Sequence, residues 1–114
     1  MTETEQKNLP VRTILAALDT GEYDAEQSVE ELEELARTAN ALVVAKVIQK
    51  RPAADSATVL GEGKIDEIRF LAEQLEAKLL VFDTELTASE IRNIEDIVNI
   101  RVIDRTMLIL DIFA

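Results

Sequence analysis

The residues with the clearest chemical potential are Leu60-Gly61-Glu62-Gly63-Lys64, set between an apolar run and a helical pattern. Two glycines let a backbone approach a ligand closely, a helix N-terminus offers free N–H groups, and Lys64 adds a positive charge. Such a turn suits an anion, a phosphate above all. The same pattern also serves as a plain tight turn from strand to helix. It is not the G-x-x-x-x-G-K-[ST] loop, and Asp66 stands where G-x-G-x-x-G needs its third glycine. A second group is basic: Lys46, Lys50 and Arg51 lie in residues 41–51, which hold no acid. Lys46 and Lys50 are an even number apart, which puts both on one face of a strand. That spot fits docking to a phosphate-rich partner, or it is an ordinary strand end in water. A third group is acidic. Asp19, Asp83 and Asp104 each follow an apolar run, so parallel strands would gather them at one sheet edge. There Asp83 and Asp104 are candidates for Mg²⁺, although such residues also serve simply to cap the next helix.

Composition removes other chemistry. The chain has 114 residues with no Cys and no His, which excludes disulfides, thiolate metal sites, Cys nucleophiles and the usual general base. Aromatic residues are 4% with no Trp, too few for a platform that stacks nucleotide bases. The net charge of −11 opposes a uniformly basic nucleic-acid binder but leaves room for the local spot at 41–51. Residues 22–34 alone contain seven acids and no base, which reads as a solvated helix face or an acidic docking surface. No run is long and apolar enough for a membrane span, and residues 1–10 lack a signal-peptide core, so a cytoplasmic domain is expected.

The elements that must position these groups follow from periodicity. Residues 1–10 read as a disordered tail closed by Pro10. Strands are expected at 11–18, 41–49, 58–60, 79–83 and 100–103, from apolar β-branched runs. Ser28-Val-Glu-Glu31 and Thr87-Ala-Ser-Glu90 are capping-box sequences that mark two helix starts, and a third helix is expected over about 64–77. Asn40 sits where the first helix should end in a left-handed conformation. The class is therefore α/β: a mostly parallel β-sheet covered by helices over residues 11–104, in the order β-α-β-β-α-β-α-β. The short link between the second and third strands permits one antiparallel pair. A C-terminal helical segment at 105–114 follows, and its apolar run Met107 to Ala114 either docks on the sheet or leads into further helical chain. Phe70 falls off the apolar stripe of its helix and is free to meet a partner.

Five segments, taken together, resemble the N-terminal domain of the HflX family of translational GTPases. They are Gln49-Lys50-Arg51; Gly61-Glu-Gly-Lys-Ile-Asp-Glu67; Val81-Phe-Asp-Thr-Glu-Leu86; Arg92-Asn-Ile-Glu95; and Asp104-Arg-Thr-Met-Leu-Ile-Leu-Asp-Ile-Phe-Ala114. The resemblance spans about residues 11–114. It departs at Asn40 and Met107, where glycine is frequent, and at Glu90-Ile91. It implies an α/β domain followed by a helical hairpin and a G domain that binds GTP with Mg²⁺ and hydrolyses it. It further implies association with the large ribosomal subunit and its RNA, and subunit separation under stress.

Gly61, Gly63, Lys64 and Glu67 match the family's G-x-G-K-x-x-E, and Asp104, Arg105 and Thr106 its D-R-T. The chain has neither a P-loop nor N-K-x-D, so no enzymatic activity and no cofactor are expected of it alone. On this reading Lys46, Lys50, Arg51 and Lys64 contact RNA phosphates. Phe70, Asp104, Arg105, Thr106, Leu108, Leu110 and Phe113 meet the rest of the parent chain or a second copy. The alternative is an independent nucleotide-binding domain that holds phosphates at residues 61–64.

Overall fold

A computed structural model describes residues 9–113; the tail expected at 1–10 lies almost wholly outside the described residues. The strands are β1 (Val11–Asp19), β2 (Ala41–Lys50), β3 (Leu79–Phe82) and β4 (Arg101–Asp104). The helices are α1 (Ala25–Thr38), α2 (Glu62–Leu75), α3 (Ala88–Val98) and α4 (Arg105–Ile112). All pairings in the four-stranded sheet are parallel, in the order β2-β1-β3-β4.

β1 is central because both of its faces are apolar. Ile14, Ala16 and Leu18 pack with Ile65 and Ile68 of α2 and with Ile94 and Val98 of α3. Leu15 and Ala17 pack on the other side with Val29, Leu32 and Ala36 of α1 and with Leu108 of α4. The chain leaves β1 toward β2 and then returns past β1 to reach β3. With right-handed crossovers, that reversal sends α1 and α2 to opposite faces. It also makes the carboxyl ends of β1 and β3 the switch point of the sheet.

Three local expectations change. Residues 58–60 form no ladder strand; an isolated antiparallel bridge joins Asp55 to Val59 instead. The Leu60 N–H bonds the Thr58 carbonyl at 2.7 Å across Val59, whose φ is 65°, and a strand cannot continue through that turn. The sheet therefore has no antiparallel pair among the described residues. The first helix begins at Ala25, because Asp24 caps it by accepting from the Gln27 N–H, which leaves Ser28 inside the helix. Leu108, expected at a partner contact, is 3% exposed and belongs to the core of this domain. The Thr87–Glu90 box forms with both of its bonds, and Asn40 adopts φ 64° at the end of α1.

Candidate functional site

Parallel strands bring their carboxyl ends to one edge, and Asp19, Lys50, Asp83 and Asp104 all stand there. Lys50 is the register partner of Asp19. β2 carries one extra residue, Val44, between the pairs Thr13–Val43 and Ile14–Ala45. Beyond this bulge Lys46 pairs with Leu15 and Lys50 with Asp19, so the two lysines share the α1 face of the sheet. The Arg51 N–H donates to the Asp19 carbonyl at 3.0 Å and extends the edge by one residue. Asp19 Oδ1 accepts from the Gly21 N–H at 2.9 Å, with Gly21 at φ 86° closing the turn. Asp19, Thr20, Gly21, Lys50, Arg51 and Pro52 line an open depression of about 460 Å³.

The four basic candidates separate into two kinds. Lys46 Nζ pairs with Glu33 at 3.0 Å, and Lys64 Nζ with Glu67 at 2.9 Å. Lys50 and Arg51 make no ion pair among the described residues. The Arg51 guanidinium lies over the start of α2: a Cβ added at Gly61 would meet Arg51 Nη1 at 2.8 Å. The Gly61 N–H is already bound to Gln49 Oε1 at 2.9 Å. Gly63, by contrast, faces open space. The G-x-G-K segment is thus a loop-to-helix turn at the start of α2, covered at Gly61 by the Gln49 and Arg51 side chains, with Lys64 turned toward Glu67.

The carboxylates expected at the edge are there, each held by protein donors. Asp104 Oδ1 accepts from the Met107 N–H at 2.9 Å and caps α4, while its Oδ2 accepts from the Leu86 N–H at 2.8 Å. Asp83 Oδ1 receives Arg105 Nη1 at 2.6 Å. Among the described residues, no group of three or more acidic side chains is placed to hold a metal ion. Arg105 also reaches the Ser28 carbonyl and hydroxyl, both at 3.3 Å, and Glu31 at 3.4 Å. Thr106, Leu110, Phe113 and Phe70 are exposed.

Sequence patterns left several participants unmarked. Tyr23 folds the β1–α1 loop back by donating its hydroxyl to the Leu18 carbonyl at 3.0 Å. Burial first, then the nearby Asp83 and Asp19 carboxylates, raise its pKa above the ordinary 10.0. Asp55 organises the β2–α2 loop by accepting from the N–H groups of Ala57 and Thr58, which holds its pKa below the ordinary carboxylate value. Asn93 of α3 donates to the Ala57 carbonyl at 3.0 Å and ties that loop down. The only advance signal was residue type, since Asp and Asn favour such turns.

A family profile described as the N-terminal domain of GTP-binding GTPases matches residues 26–114. The chain belongs to this family. Its relatives point to the HflX type. GTPase HflX of Lacrimispora saccharolytica is 49% identical over 116 residues, which take in 100% of this chain and 27% of that protein. GTPase HflX of Alkalihalophilus pseudofirmus is 52% identical over 89 residues, covering 78% of this chain and 21% of that protein. This HflX-type domain thus spans roughly a quarter of the length of these relatives. A GTP-binding protein from Sulfolobus solfataricus, solved in complex with GDP, shares the fold with a TM-score of 0.66 at 23% identity. That match covers 91% of this chain and 30% of the archaeal chain. Among the described residues, no helix is long and apolar enough to cross a membrane.

Proposed function

We propose that this HflX-type domain is the ribosome-docking and regulatory N-terminal part of a longer cytoplasmic GTP-binding protein. Its partners are the RNA of the large ribosomal subunit and, within the same polypeptide, the helical region and the G domain. GTP, Mg²⁺ and hydrolysis belong to that G domain, and ribosome splitting or rescue under stress is the activity of the whole protein. The observation that carries this reading is the pair Lys50 and Arg51, which make no ion pair among the described residues, at the carboxyl edge of a chain with net charge −11. On an acidic body, a small cationic spot fixes which side meets a polyanion while the remaining surface repels it. Lys46 and Lys64 stay available as secondary contacts, since an exposed ion pair contributes only about 0–1 kcal/mol.

Independent nucleotide binding at residues 61–64 has less support, because Gly61 donates to Gln49 and Lys64 is paired with Glu67. The test is co-sedimentation of the longer protein with large ribosomal subunits. Lys50→Glu with Arg51→Glu should weaken association. Lys78→Glu with Arg101→Glu, an equal charge change at the opposite edge of the sheet, should have little effect. Equal behaviour of the two variants would remove the assignment of these residues.

A further inference from the structure

Arg105 is the first residue of α4, where the helix dipole favours acids and disfavours a cation. Local helix chemistry therefore does not account for it. Its long-range partners do. Asp83, whose side chain is 1% exposed, lies 2.6 Å from Nη1 at the end of β3, and Ser28 and Glu31 of α1 take the remaining bonds. The guanidinium thus occupies the switch-point crevice, where open α/β sheets commonly receive a ligand.

Three side chains anchor α4 by packing, Leu108 buried and Met107 and Ile112 partly buried against the same core. Leu108 is its one fully buried side chain, while Leu110 is 65% exposed and Phe113, just beyond the helix, 83% exposed. The core between the sheet and the helices α2 and α3 includes no residue of α4, which packs only on the α1 side.

We propose that Arg105 is a latch that holds α4 against the α/β core through Asp83 and α1. When the latch opens, α4 moves as a unit while the sheet and the other helices stay folded. Such a latch lets the direction in which the chain leaves this domain change without unfolding the domain. This inference does not depend on the RNA-docking reading and is tested on the 114-residue chain alone.

The test is site-resolved amide hydrogen exchange of the wild type, Arg105→Met, Asp83→Asn and the double variant. Loss of a charge-assisted clamp should speed exchange at residues 109–112 by about tenfold or more. The amides of β1 and β3 should keep their wild-type protection. The double variant should open α4 no further than Arg105→Met alone, since that change already removes the bonds to Asp83, Ser28 and Glu31. Uniform acceleration of all amides, failure of Arg105→Met to fold, or unchanged exchange at residues 109–112 would each overturn the latch.

Discussion

Tyr23 is the only tyrosine in a chain without tryptophan, so it reports on the carboxyl edge without interference. Its phenol is held neutral above pH 10.0 by burial and by Asp83 and Asp19, while Arg105 acts in the opposite sense. A raised folded-state pKa means that this contribution to stability is complete below pH 10.0 and is lost as pH rises through the folded value. Asp83→Asn should therefore lower the midpoint of phenolate absorbance, and Arg105→Met should raise it. Movement in the reverse directions would show that the charges around Tyr23 are arranged differently. The two glycines of G-x-G-K also separate at this scale. Gly61 is overlain by Arg51, but a Cβ at Gly63 would touch nothing within 4 Å. Gly63→Ala should stabilise the domain by about 0.5–1 kcal/mol, read as a higher urea midpoint at constant slope. A fall in the midpoint would contradict the open surroundings of Gly63. The motif was legible in the sequence, but the unequal roles of its glycines depend on side chains from a distant strand.

Helix starts show which element-scale signals can be trusted. Thr87-Ala-Ser-Glu90 forms a capping box with both of its bonds, while Asp83 four residues upstream is engaged by Arg105, and Thr87→Ala should cost about 1 kcal/mol in denaturant unfolding. No measurable loss would mean that another group caps α3. Ser28-Val-Glu-Glu31 has the same letters but lies inside α1, because Asp24 captures the Gln27 N–H four residues earlier. The segment at 58–60 looked like a strand because Thr58 and Val59 are β-branched and Leu60 is apolar. A positive φ at a buried β-branched residue can be held only by the loop around it, here by the bonds to Asp55 and Asn93. The bulge at Val44 was equally invisible. Strict alternation would put Lys46 on the face of Leu42, whereas the extra residue turns it toward α1 and Glu33.

For the molecule as a whole, the class, the parallel sheet and the helices at about 64–77 and 88–98 were readable from local periodicity. The strand order β2-β1-β3-β4 was not, since it is decided by contacts between residues far apart in sequence. The candidate site was readable as a set of residue types but not as an arrangement. Sequence placed Lys46, Lys50, Arg51 and Lys64 in one group, and only the folded chain shows that Glu33 and Glu67 engage two of them. Leu108 turned inward for a similar reason: the 107–114 run was expected either to dock on the sheet or to lead into further chain, and α4 lies back on the sheet and buries Leu108, with Met107 and Ile112 partly buried beside it.

The central claim is that Lys50 and Arg51 meet a nucleic-acid backbone. Its most direct test is the salt dependence of large-subunit binding by the longer protein. Each phosphate contact steepens the plot of log affinity against log salt by about 0.7–0.9. Replacing both residues with Glu should therefore weaken binding at low salt and flatten the slope by about 1.4–1.8. A slope identical to that of the wild type would contradict the claim.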